Sequence, residues 1–149
     1  MATAYIVDAV RTAGGRRGGK LAGWHPVDLA AATLDALVAR SGIDGAKVDD
    51  VVMGCVTQAG QQAMQVGRNA VLAAKNLPDS VPAVTIDRQC GSSQQAMQFA
   101  AQAVMSGTMD VVIAAGVESM TRVPMGSNAM FHMKEGLGHY KSPRLDEKY

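Results

Sequence analysis

Cysteine is scarce in this chain, and the two that occur, Cys55 and Cys90, form no CxxC pair. Two thiols cannot build a disulfide framework, so stability must come from a hydrophobic core. Free thiols in a reducing compartment are the favoured state, with a single Cys55–Cys90 bridge as the alternative. An excess of either charge is also missing: 14 Lys and Arg stand against 13 Asp and Glu, a net charge of +1. That balance gives no reason to expect nucleic acid or an anionic membrane as the main partner. No apolar run approaches the ~20 residues that span a bilayer, so membrane insertion is not expected. The opening MATAYIVDAVRT has its apolar stretch broken by Asp8 and lacks a basic n-region, so it does not read as a signal peptide. The expected location is the cytoplasm. No repeat of a 20–50-residue period is visible.

Two tempting sites also fall away. Gly14-Gly15-Arg16-Arg17-Gly18-Gly19 matches neither the GxGxxG nor the GxxxxGK[ST] phosphate loop and reads as a flexible turn with solvated arginines. His132 and His139 lie seven residues apart without a nearby carboxylate pattern, so no metal site is expected.

What is present suits one globular domain: 48% hydrophobic and 18% charged residues over 149 positions. Ala4–Val10 reads as a first strand. His25-Pro26 opens a helix, with proline in the first turn and Asp28 at the positive end of the dipole. Val27, Ala30, Leu34, Leu37, Val38 and Ser41 form its apolar face, and Gly42 ends it. His25 is read as a helix-opening residue. Val48–Val56 is a second strand, expected to be buried on both faces. Cys55 near its end is read as a buried structural cysteine. Thr57–Gln62 is a polar loop, and a helix runs from about Ala63 to Lys75. Asp110–Val117 is a late strand with an unbroken apolar run. Strands alternating with helices indicate α/β layers around a mostly parallel sheet.

The centre of the pattern is 81–107, VPAVTIDRQCGSSQQAMQFAAQAVMSG. Val84 and Ile86 alternate as in a short strand, and Asp87-Arg88-Gln89 interrupts it. Ala96, Met97, Ala100, Ala103 and Val104 then recur at helical spacing, with Gly107 as the stop. Cys90 falls where strand hands over to helix. The unpaired N–H groups of a first helical turn favour a thiolate and can hold an oxyanion. Cys90 is therefore a candidate nucleophile, against the alternative of a small buried hydrophobe.

DRQCGSSQQA, followed by DVVIAAGVESMTRVPM, resembles the nucleophilic-cysteine region of the thiolases. The matching segments are Cys90-Gly91-Ser92 and Gly116-Val117-Glu118-Ser119-Met120, and AYIVDAVRTAGGRRGGKLAG resembles the family's opening. The resemblance implies a thiolase-like α/β half-domain, with a mostly parallel mixed sheet layered between helices, over residues 1–118. It makes 119–149 the beginning of a loop domain that covers the site and carries oligomer contacts. It makes Cys90 the nucleophile that carries an acyl thioester, with its backbone N–H as an oxyanion donor. Met120 and Met125 are candidates for lining an acyl pocket, since methionine adapts to varied apolar ligands.

The same resemblance implies an acyl-CoA substrate, coenzyme A as co-substrate with no bound cofactor, and a homodimer or homotetramer formed through about residues 82–104. The implied reaction is thiolysis of a 3-ketoacyl-CoA, or the reverse Claisen condensation. Ser93-Gln94-Gln95 after the cysteine looks closer to degradative 3-ketoacyl-CoA thiolases, some of which accept bulky acyl groups such as steroid side chains. The family's Asn-Glu-Ala-Phe, Gly-His-Pro and Cys-x-Gly segments are not found; Trp24-His25-Pro26 is not the Gly-His-Pro motif. The chain is therefore expected to correspond to the N-terminal half only and to be inactive alone. A ketoacyl-synthase-like condensing enzyme and a non-catalytic dimerisation surface are the rival readings. A serine hydrolase is excluded because Gly91-Ser92-Ser93 does not complete G-x-S-x-G.

Overall fold

The computed structural model describes residues 3–149. The first regular element is helix α1, Pro26–Ser41. His25 is its N-cap, and its Nδ1 accepts from the Val27 N–H at 3.3 Å. Gly42 closes it in the left-handed conformation, φ 69°, which a residue without Cβ adopts at no steric cost. Strand β1, Asp50–Gly54, is followed by helix α2, Val66–Ala73, strand β2, Ala83–Ile86, helix α3, Ser92–Met105, and strand β3, Val112–Gly116. Two short helices, α4 at Ser127–Lys134 and α5 at Pro143–Lys148, complete the chain and bury none of their residues.

The three strands form one parallel sheet in the order β2-β1-β3. Its register pairs Val51 with Ala83 on one side and Ile113 on the other, and Gly54 with Ile86 and Gly116. Parallel strands need crossovers, which α2 and α3 supply. α2 packs on β1 and β2, with α1 stacked against it. α3 packs against β3 and β1. Because side chains alternate along a strand, Val51 and Met53 point toward α2 while Val52 and Gly54 point toward α3.

The core sits mainly on the α2 side. Leu34 from α1, Val51 and Met53 from β1, Val66 and Val71 from α2, and Val81 are all nearly or fully withdrawn from solvent. Each such side chain contributes about 1.5–3 kcal/mol of burial. Polar ties close the periphery: Asp35 Oδ1 accepts from Lys75 N at 2.7 Å and Asn76 N at 2.8 Å, fastening α1 to the end of α2. Arg68 donates to Val81 O at 2.6 Å and Asp79 O at 2.8 Å, holding the approach to β2.

Several expectations are corrected. Ala4–Val10 is not a strand, and Tyr5, Ile6 and Val7 are exposed. Apolar, β-favouring residues make a strand only with a hydrogen-bonding neighbour, and none of the three strands pairs with this segment. Among the described residues it is tied by an ion pair of Asp8 with Arg40 of α1 at 3.2 Å. Burial on both faces holds for β1, but β3 buries only Ile113 among its five residues because it forms a sheet edge. α2 starts at Val66, three residues later than expected, since Met64 and Gln65 take positive φ. α3 starts at Ser92, so Cys90 precedes the helix instead of opening it. Among the described residues no helix is long and apolar enough to cross a membrane.

Candidate active site

The turn between β2 and α3 presents Cys90, and its shape follows from its polar residues. Asp87 Oδ1 accepts from the Gln89 N–H at 2.7 Å, an Asx turn that reverses the chain after β2. Gln89 takes a left-handed conformation, φ 49°. The Ser92 hydroxyl accepts from Arg88 N at 2.9 Å and donates to Gln89 O at 2.6 Å, so the two residues before Cys90 are bound to the first residue of α3. Cys90 lies exposed at the apex as a free thiol.

Two amides near the sulfur are already committed. Gly91 N donates to Arg88 O at 3.1 Å and Ser92 N to Gln89 O at 3.0 Å. Among the described residues the Cys90 N–H makes no hydrogen bond. It is the amide of this turn that can still be offered to a developing oxyanion. The cleft beside the turn, about 270 Å³, is lined by Arg88, Gly91, Gln94, Gln95 and Gln98. The Arg88 guanidinium donates to Gln95 Oε1 across it.

The turn rests on a floor of two glycines. Gly54 and Gly116 face each other at the C-terminal ends of β1 and β3. A Cβ at Gly54 would lie 2.6 Å from Ser92 C, and one at Gly116 2.6 Å from Ser93 Cβ. Only glycines let α3 begin this close to the sheet.

Just beyond the floor lies a polar cluster. Glu118 accepts from Val56 N at 2.8 Å, Thr57 N at 3.3 Å and Gln62 Nε2 at 3.0 Å. Gln62, fully buried, also donates to Thr57 O at 2.8 Å and accepts from Ser119 N at 2.6 Å. Cys55 Sγ lies 3.9 Å from Glu118 Oε2. Burial, then the neighbouring Glu118 carboxylate, push the Cys55 thiol up to about 12. Cys55 is thus a buried, protonated structural cysteine.

The two cysteines therefore occupy opposite environments, one exposed on a braced turn and one sealed in the core. Met120 and Met125 are exposed and do not line the cleft beside Cys90. Sequence reading missed Gln62 and Thr57, which it placed in an ordinary polar loop, and the partners of Glu118. The only local signal was a carboxylate directly after an apolar strand.

Residues 4–145 match the profile of the thiolase N-terminal domain. The chain belongs to the thiolase family. It is 57% identical over 127 residues to a steroid 3-ketoacyl-CoA thiolase of Mycobacterium tuberculosis, covering 85% of this chain and 31% of that protein. It is 48% identical over 125 residues to a beta-ketoadipyl-CoA thiolase of Acinetobacter baylyi, covering 83% of this chain and 31% of that one. The fold is similar to that of the Bacillus anthracis acetyl-CoA acetyltransferase, with a TM-score of 0.66 at 41% identity, over 72% of this chain and 27% of the other. The chain thus spans about a third of the length of the curated thiolases it matches.

Proposed function

We propose that the whole protein is a degradative thiolase and that this chain supplies its nucleophile, Cys90. The observation that carries the reading is Cys90 itself, a free thiol exposed on a hydrogen-bonded turn at the start of α3, in a chain of this family. The Cys90 thiolate attacks the 3-keto carbonyl of a 3-ketoacyl-CoA. The carbon–carbon bond breaks, its electron pair leaves with the acetyl-CoA enolate, and an acid protonates that carbon. The acyl group stays on Cys90 as a thioester until coenzyme A takes it, returning the thiolate. The Cys90 N–H stabilises the oxyanion in both addition steps. Coenzyme A is a co-substrate, and no cofactor is needed. The groups that move protons come from segments outside these 149 residues, so this chain alone does not turn over.

Identity of 57% to a protein named a steroid thiolase supports a bulky acyl group over a short one. Residues 1–118 form the nucleophile-bearing half-domain and 119–149 the start of a loop domain, where exposed Met120 and Met125 are available to line the acyl pocket. Val84 on β2 and Met97, Phe99 and Met105 on α3 are large exposed apolar residues, which supports pairing of two copies through about 82–104. The free thiols Cys55 and Cys90 suit the cytosol.

The test is brief mixing of the whole protein with acetoacetyl-CoA, then intact mass and peptide mapping. An acetyl group is expected on Cys90. Cys90→Ala should carry none and should lose thiolysis by a factor on the order of a thousand or more. An adduct on another residue, or activity retained in Cys90→Ala, would overturn the assignment.

A further inference from the structure

The Glu118–Gln62 pair ties together the strand ends that support the start of α3. Glu118 and Ser119 follow β3, and Val56 and Thr57 follow β1; Gln62 bonds to Glu118, Ser119 and Thr57. Glu118 itself receives the Val56 and Thr57 amides. Two residues before these contacts stand Gly54 and Gly116, on which Ser92 and Ser93 rest at the limit of contact. Ser92 in turn binds the backbone on both sides of Gln89, which precedes Cys90. A change in the separation of the strand ends therefore has no slack to absorb it before it reaches the turn.

We propose that Glu118 and Gln62 are positioning residues for Cys90: a clamp of a half-buried carboxylate and a buried amide across the β1 and β3 ends that sets the height of the nucleophile's turn. This rests on Cys90 being the acylated nucleophile. Neither residue touches the substrate; both act through Gly54, Gly116 and Ser92. The amide of Gln62 spends both N–H groups and its oxygen within the clamp, so no isosteric replacement restores every bond. The other titratable groups facing it are Cys55, against Glu118, and Asp87 of the turn, whose charge also acts on Cys55.

The experiment measures, on the whole protein, the rate of Cys90 acetylation by acetoacetyl-CoA and of its alkylation by iodoacetamide. Glu118→Gln turns an amino group toward donors that now meet a carboxylate oxygen. Acetylation should slow by about tenfold or more at an unchanged half-saturating acetoacetyl-CoA concentration, because geometry and not binding is disturbed. Gln62→Glu sets a second carboxylate against Glu118. Two carboxylates in one site share a proton at lower pH and repel once both are charged. The variant's alkylation rate relative to the unmodified protein at the same pH should be highest at about pH 6 and fall severalfold by about pH 8.5. If Glu118→Gln does not fold, this ratio decides alone. A purely structural pair would lower the melting temperature yet leave both rates per folded molecule, and the pH ratio, unchanged; that result overturns the clamp. If Cys90→Ala keeps its thiolysis activity while the alkylation ratios move as expected, the nucleophile assignment fails and the clamp stands.

Discussion

Cys55 and Cys90 are chemically the same residue made different by surroundings. Cys55 is buried beside Glu118, and both burial and that charge oppose its thiolate. Cys90 is exposed on a turn whose neighbours are fixed by Asp87 and Ser92. Iodoacetamide at about pH 8 should therefore label Cys90 and leave Cys55 unlabelled until denaturant is added. Peptide mapping before and after unfolding checks this; labelling of native Cys55 would contradict the burial. The raised folded-state pKa also fixes a sign. With the unfolded thiol at 9.0 and the folded one at about 12, the unfolded chain loses its proton first as pH rises. The stability that Cys55 lends is whole below pH 9.0 and falls as pH climbs toward about 12. Replacing Cys55 by Ala should flatten that alkaline decline in denaturant melts, at the cost of a small cavity.

At the level of elements, the decisive contact is a helix end on two strand ends. α3 begins where it does because Gly54 and Gly116 have no Cβ to push it away. Gly54→Ala or Gly116→Ala should cost about 1–3 kcal/mol in urea unfolding, the usual price of overpacking. Either change should also slow the alkylation of Cys90, since the turn moves with the helix. Gly91→Ala is the control. Its nearest neighbour to a new Cβ is Arg88 O at 3.5 Å, and its φ of −96° suits any residue. Stability should stay within about 0.5 kcal/mol of the original. A Gly54→Ala protein as stable as the Gly91→Ala one would refute this account of the packing.

At the level of the whole molecule, the sheet is narrow and unevenly covered. α1 and α2 seal one side, while α3 covers β1 and β3 and scarcely reaches β2. Val84, Met97, Phe99 and Met105 are left exposed on or beside that side. If two copies pair through this face, as proposed, a charge placed in it should break the contact, and Phe99→Asp should lower the sedimentation coefficient of the whole protein. An unchanged sedimentation coefficient would overturn pairing through this face.

Local pattern alone determined α1 with its His25-Pro26 start and Gly42 stop, the three strands of the sheet, and the placement of Cys90 between a strand and a helix. These depend on periodicity and on backbone preferences, which a stretch of chain carries within itself. The tertiary structure decided the rest. It withheld a strand from Ala4–Val10, because apolar alternation cannot supply a hydrogen-bonding neighbour. It buried Gln62, polar and inside an apparently ordinary loop, because a carboxylate 56 positions away bonds its amide. It gave Gly54 and Gly116 their meaning, because close approach belongs to a pair of surfaces and neither segment shows it alone. Contacts between distant residues carry no period, so they become visible only once the chain has folded.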